Sequence, residues 1–267
     1  MGADIKKLRN RLKSVDSTMH LTKAMGLVAS SKIRRAIEGM QNGREYEIAV
    51  RNAIEPLLTS PDCQSSPYLH SGGGERLCLV VVAGDRGLAG GYNANIFRAL
   101  REYPDADIIP IGKRACDRFA GELLYAEHFD YSSARELSAR ICRDFVDGKY
   151  DRIGILCTRY VSMMSQEAEM RTIFPIEGRS ESAKTSAVFE PDELTVLEAA
   201  IPEYVAGVLV SAVRESFASE VAARRCAMDS AGKNAQEMID ELQLEYNRAR
   251  QGAITQEITE IVAGSGM

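Results

Sequence analysis

Residues 5–57 read IKKLRNRLKSVDSTMHLTKAMGLVASSKIRRAIEGMQNGREYEIAVRNAIEPL. Alternating steps of three and four pick out Ile5, Leu8, Leu12, Val15, Met19, Thr22, Gly26, Ala29, Ile33, Ala36, Met40, Gly43, Glu47, Val50, Ile54 and Leu57. Only Thr22 and Glu47 are clearly polar. A seam held this long is the signature of a coiled coil rather than of a helix lying on a globule. The rise per residue makes it roughly 75–80 Å long. Pro56 and Pro61 are expected to stop it.

The other end of the chain mirrors this pattern. Val221, Arg224, Met228, Ala231, Ala235, Met238 and Leu242 keep the alternation. A four-residue step then leads to Tyr246, Ala249 and Ala253, followed by Ile254, Ile258 and Ile261. Such a step reads as a stutter, which changes the supercoil locally. Started at Pro202, read as a first-turn proline, this helix would run roughly 90 Å. Neither stripe can be buried alone, so each helix is expected to pair antiparallel with the other. The small residues Gly26, Ala29, Ala36, Ala231 and Ala235 allow close approach but bury little area.

Composition supports two long helices. The eight prolines stand between 56 and 202, leaving both ends free of the strongest helix breaker. Trp is absent and aromatics are 6%, so the core must be aliphatic. A hydrophobic fraction of 45% excludes a disordered chain. No uninterrupted apolar run reaches bilayer length, and the first residues lack the apolar segment of a secretory signal; an integral membrane protein is not expected. The six cysteines form no metal-site spacing, and no His lies beside a Cys pair. Scattered thiols fit a reducing compartment. Residues 1–40 carry nine Lys or Arg against three Asp or Glu, a net of +6. With −5 for the whole chain, the remainder carries −11. A basic end suits nucleic acid, anionic lipid or an acidic protein surface, or is simply a solvated face.

The middle differs in kind. Residues 59–74 read as a loop. Leu77–Ala83, Asp107–Ile111, Arg152–Thr158 and Glu167–Phe174 read as strands, with Leu123–Phe129 a further candidate. Residues 94–103 and Arg114–Ala120 read as helices, and Ser132 or Ser133, with Glu136, as the capping box of a helix to Asp147. Residues 178–190 read as a polar linker. Alternating strands and helices imply a mostly parallel open sheet. The predicted fold is α/β: a long antiparallel coiled coil of residues 1–58 and 191–267, with a Rossmann-like open sheet inserted as 59–190.

The sharpest motif for chemistry is Gly84-Asp85-Arg86-Gly87-Leu88-Ala89-Gly90-Gly91-Tyr92-Asn93, between a strand and a helix, where α/β folds bind phosphates. Its spacing matches neither dinucleotide nor P-loop fingerprints. The simpler reading makes Asp85, Arg86, Gly87, Gly90 and Gly91 a structural turn. No His pairs with a Ser or Cys in a nucleophile context. Catalytic, cofactor and metal sites are therefore not expected. Two rival readings stay open from the residues alone: a nucleotide-binding enzyme with coiled-coil arms, and a basic scaffold for nucleic acid or lipid.

Both ends resemble a known family. The start carries Ile5-Lys6, Arg9, Ser14-Val15, Thr18, Leu21-Thr22-Lys23-Ala24-Met25 and Val28-Ala29-Ser30-Ser31-Lys32. The end carries Ser219-Glu220, Ala223-Arg224, Ala227-Met228, Tyr246-Asn247, Arg250-Gln251, Ile254-Thr255, Glu257-Ile258 and Glu260-Ile261-Val262. Together with Asp85-Arg86-Gly87-Leu88 and Gly90-Gly91 they are similar to the gamma subunit of the F-type ATP synthase. The resemblance implies a non-catalytic central rotor shaft on the cytoplasmic side of a bacterial membrane. A bacterial host is expected because the matched motif begins almost at Met1. The shaft would stand in the bore of a hexamer of alpha and beta subunits. The foot would sit with the epsilon subunit on the ring of c subunits, giving peripheral membrane association through the complex and no nucleic acid. Ion flow, of protons or sodium, would then drive ATP synthesis. It further implies that Lys23, Met25, Arg250, Gln251 and Ile254 contact the beta subunit's catch and bearing, with Lys23 and Met25 near Arg250 and Gln251 on the opposite helix. The cysteine-bearing insertion of chloroplast-type members is absent, so no thiol switch is expected.

Overall fold

A computed structural model of the chain describes residues 2–178 and 188–265. Two helices dominate it: α1, Gly2–Leu58, and α5, Glu193–Gly264. Between them lie β1 (Leu77–Val82), α2 (Tyr92–Ala99), β2 (Asp107–Ile111), α3 (Lys113–Phe119), α4 (Tyr131–Val146), β3 (Arg152–Tyr160) and β4 (Gln166–Phe174). Most of the linker expected at 178–190 lies outside the described residues. Contacts divide the chain into two compact units, residues 1–30 with 224–267, and residues 31–223.

In the first unit the two helices pair antiparallel. Gly26 faces Met228 and Asp229, and Gly232 faces Thr22. Met19, Thr22, Gly26 and Ala29 are buried on α1, and Met228, Gly232, Ala235 and Leu242 on α5. Thr22 is tolerated there because its hydroxyl donates to the Met19 carbonyl at 2.9 Å. On α1 the seam coincides with the heptad positions: from Ile5 to Leu57 each is buried or half-buried. On α5 it does not. Met238 is 40% exposed, while Gly232 is buried and Ile239 half-buried. The seam runs 228, 232, 235, 239, 242, 246, 249, 253, a steady alternation of four and three with no stutter. The apparent stutter arose because Gly232 has no side chain to register as apolar. Ile254, Ile258 and Ile261 lie off the seam, exposed.

The second unit is built on a four-stranded sheet of order β2-β1-β3-β4. β1 pairs parallel with both β2 and β3, and β3 pairs antiparallel with β4. Alternate residues of β1 face opposite cores, as its continuous apolar sequence requires. Cys78, Val80 and Val82 pack with Ile153, Ile155, α4 and Leu197–Val213 of α5. Leu79 and Val81 pack with Leu156, Ile96 and Leu100 on the other face. Residues Val205–Ala222 of α5 are buried except Arg214 and Phe217, because α1 lies on one side and the sheet on the other. That burial explains a property no uninterrupted run reveals. By length and composition alone α5 could cross a membrane, with an 18-residue window of mean hydropathy 1.6, yet 61% of that window is buried in the protein. It reads as a core helix.

Several boundaries differ from expectation. α5 begins nine residues before Pro202, where the Asp192 carboxylate accepts from the Thr195 amide at 2.8 Å. An acceptor at this position satisfies one of the helix's orphan N–H groups. α4 is capped by Asp130, which accepts from Ser133 at 2.8 Å, so Ser133 is the capped residue and not the cap. α1 continues two residues past Pro56, a proline in the last turn. Residues 123–129 form no strand, although the Leu124 carbonyl accepts from Gly112 at 2.7 Å. No disulfide joins the six cysteines, and all but Cys226 are buried. Burial pushes the Cys78 and Cys157 thiols up to about 12, which leaves them inert small hydrophobes.

Candidate functional site

Open α/β sheets bind ligands at the carboxyl ends of neighbouring strands whose connections diverge. Here that place is the end of β1 and β3, and the Gly84–Asn93 loop leads out of it. The loop is fastened at several points. The Gly84 amide donates to Asn93 Oδ1 at 2.8 Å, and the Gly84 carbonyl accepts from the Arg114 amide at 3.1 Å. The Asp85 carboxylate accepts three backbone amides: Lys113 and Ala126 at 3.0 Å, and Glu127 at 2.8 Å. One carboxylate thereby ties the loop to the start of α3 and to the irregular segment 121–129. Gly90 has φ +56 and Leu88 φ 61, so the turn passes through left-handed backbone twice. Arg86 stands 3.7 Å from Glu127, and Gly87 lies against Arg114.

The crevice itself is filled by α5. Ser216 Oγ accepts from the Thr158 amide at 3.0 Å, Ser219 Oγ donates to the Thr158 carbonyl at 3.3 Å, and the Tyr92 hydroxyl donates to the Ser216 carbonyl at 3.0 Å. Glu220, 2% exposed, places its carboxylate so close to Gly84 that a Cβ there would lie 2.8 Å from it. A phosphate entering this crevice would meet a buried carboxylate and no space. Among the described residues, no group of three His, Cys, Asp or Glu is arranged to hold a metal ion.

A different surface is open. Lys32, Arg35 and Arg214 line a cleft of about 600 Å³ with Ala36 and Phe217, and Glu127 and His128 stand opposite. Lys32 pairs with Glu127, whose carboxyl is held below its ordinary range by that hydrogen bond. Of the expected contact residues, Lys23, Arg250 and Gln251 are exposed, Ile254 is 47% exposed, and Met25 is half-buried. They do not form one cluster. The helix pair matches Thr22 to Gly232 and Gly26 to Met228, so Lys23 stands level with about residue 231. At 1.5 Å per residue, Arg250 is roughly 28 Å further along the pair. The expectation that Lys23 and Met25 lie near Arg250 and Gln251 is thus corrected by the antiparallel register.

What the sequence leaves without a role are the polar residues inside the apolar helix, Ser219 and Glu220 included although they belong to the motif that carries the resemblance. Glu215, Ser216, Ser219 and Glu220 are all buried. Their signal was present: a run Arg-Glu-Ser-Phe-Ala-Ser-Glu at 214–220 follows nine residues rich in Val, Leu and Ala. Polar groups placed there must be satisfied inside the fold.

Fold and site together define a class: a long helix-pair protein carrying an inserted α/β sheet whose ligand crevice is closed by its own chain. Comparison with known proteins gives the family. The family model described as ATP synthase matches residues 4–266. The ATP synthase gamma chain of Ruminococcus albus is 38% identical, with 98% of each chain covered. The gamma chain of Acetobacterium woodii, described as sodium ion specific, is 34% identical with 99% of each covered. Among solved structures, a chain of the Euglena gracilis mitochondrial ATP synthase assembly of OSCP, F1 and c-ring superposes with a TM-score of 0.68 at 19% identity, covering 99% of this chain and 94% of that one. A chain of the Tetrahymena thermophila central stalk and c-ring gives 0.62 at 21% identity, covering 79% and 99%. The chain belongs to the family of ATP synthase gamma chains.

Proposed function

We propose that this chain is the central rotor shaft of an F-type ATP synthase and carries no catalytic group of its own. The observation that supports this best is that α5 is one unbroken helix which lines the sheet as a core element at Val205–Ala222 and pairs with α1 beyond it. A helix anchored over five turns in a packed core can pass a twist along its length. Residues 1–58 and 191–267 serve as the shaft within a hexamer of alpha and beta subunits, and 59–190 as the foot. The foot binds the epsilon subunit and the ring of c subunits at the cytoplasmic face of a bacterial membrane. Ion flow turns the ring, and the asymmetric shaft favours one conformation of each catalytic site at each angle. It shifts nucleotide affinity only by its differential contact energy with those conformations.

Arg250, Gln251 and Ile254 contact the beta subunit's catch, and Lys23 and Met25 contact its bearing about five turns away. The cleft lined by Lys32, Arg35 and Arg214 supports an acidic partner surface, with an attraction that salt weakens. The turn from Asp85 to Gly91 is structural, since its carboxylate is spent on backbone amides. Mixing the chain with alpha and beta subunits is expected to give a defined ATPase complex. In the complete membrane complex, Arg250→Ala with Gln251→Ala is expected to slow coupled ATP synthesis by about tenfold or more, since loss of a single charged hydrogen bond of about 1.5 kcal/mol already corresponds to that factor. Unchanged synthesis would refute the catch assignment. Nucleotide turnover by the pure chain would instead favour an enzyme with helical arms.

A further inference from the structure

One carboxylate in the second unit gathers more elements than any neighbour requires. Glu215 lies on α5 with its side chain 3% exposed. Arg44 of α1 donates to its Oε1 at 2.9 Å, and Arg171 of β4 donates to its Oε2 at 2.7 Å. The amide of Tyr160, at the end of β3, donates to Oε1 at 3.2 Å. Arg171 is held in turn by Glu169, and Glu169 by Arg159. Four elements thus meet at a single buried charge: both long helices and both strands of the antiparallel edge.

Apolar packing resists rotation through the fit of its side chains, but the attraction between buried methyl groups is itself non-directional. A guanidinium on a carboxylate is different. Its geometry is directional, and leaving a desolvated carboxylate without its cation is costly. Turning α5 about its own axis by one residue would carry Glu215 through about 100° and away from Arg171 and the Tyr160 amide together.

We propose that Glu215 is the positioning residue that locks the helix pair to the sheet against twist, with Arg171 as its principal partner and Arg44 as the lock between the two helices. This rests on the rotor reading. If the shaft turns with the foot, Glu215 is where the edge of the sheet grips it electrostatically. Arg44 is 53% exposed and Arg171 28%, so the Arg171 pair is the less screened and the stiffer of the two.

The test uses the complete membrane-bound complex in inverted vesicles, with ATP hydrolysis and ATP-driven ion uptake followed together. The readout is ions moved per ATP, measured as the opposing gradient builds. This ratio does not depend on how much complex has assembled. The wild-type complex must pump; if it does not, the rotor reading fails and not this one. Glu215→Gln and Arg171→Gln are expected to lower the ratio severalfold near the maximal gradient, with hydrolysis within about twofold of wild type. Arg44→Gln is expected to lower it less, and Glu215→Asp to restore part of it. If Glu215→Gln does not assemble, Arg171→Lys, which keeps the charge but loses the planar fork, carries the test. An unchanged ratio at maximal gradient in these variants would overturn the proposal. So would hydrolysis and uptake falling in equal proportion.

Discussion

A methyl group at position 112 would lie 1.9 Å from the Ala83 carbonyl oxygen, on a backbone with φ +88. No side chain elsewhere can move to relieve that clash, because the obstacle is main chain. Gly112→Ala is therefore expected to destabilise the protein by about 3 kcal/mol or more, adding backbone strain to overlap; urea unfolding of the purified chain measures it. Asp151 shows a different dependence. Its carboxylate, 1% exposed, accepts from Arg76 Nε at 2.9 Å and from the Arg76 amide at 3.0 Å. The Arg76 side chain first, then the Arg76 amide, hold its pKa below the ordinary 3.8. The two helix-capping carboxylates, Asp130 and Asp192, are lowered as well, chiefly by backbone amides. A depressed carboxylate contributes stability that is fully present above the unfolded value and is lost as pH falls through the folded one. Unfolding midpoints should hold steady above about pH 5 and fall steeply below about pH 4. Asp151→Asn should lower the neutral plateau and flatten that fall; a parallel acid slope would show that Asp151 does not contribute to it. Neither residue's partner is legible in the sequence. Gly112 was one glycine in a turn and Asp151 one carboxylate after a helix, and only the fold brings Ala83 and Arg76 to them.

At the scale of elements, α1 was legible almost residue by residue, because its seam is filled by side chains that declare themselves apolar. The seam of α5 was half legible. Gly232 is buried there without any apolar side chain, so the reading slipped to Ala231 and Met238. The correction can be measured. Ile239→Ala is expected to cost about 1–2 kcal/mol and Met238→Ala less, about 0.5 kcal/mol, since Ile239 is the more covered of the two and lies on the seam. Equal costs would return Met238 to the seam. Strands of the sheet were legible where they are buried on both faces, as in β1 and β3. Residues 123–129 misled because their apolar side chains pack as an irregular segment under the Asp85 carboxylate, which takes the amides of Ala126 and Glu127. The true caps lie upstream of the expected ones: Asp130 two to three residues before Ser132 and Ser133, and Asp192 ten residues before Pro202.

Across the whole molecule the two units differ in what they bury. The unit of residues 31–223 has a core with Phe174, Leu79, Ile155, Leu209 and other large side chains fully buried. The helix pair of the other unit rests on glycine, alanine, two methionines and Leu242. Low burial means low local stability. Hydrogen exchange of the free chain is therefore expected to be fastest along residues 237–264 and slowest along 205–222, although one helix holds both; uniform protection along α5 would contradict this. The class of fold and the terminal motifs were legible in the sequence. The closed crevice was not, because nothing local in Ser216, Ser219 or Glu220 says which strand ends they will meet. The filling of that crevice also bears on how the chain is made. The sheet's main core joins Ile54 and Leu57, translated early, to Leu197–Val213, translated late. Strands β1 to β4 and α4 are complete before α5 exists, so a nascent chain on the ribosome carries an apolar sheet face only partly covered, by α4, until α5 emerges. Folding of this unit therefore waits for the first half of α5, and a chain terminated before residue 222 is expected to leave apolar sheet surface open to aggregation.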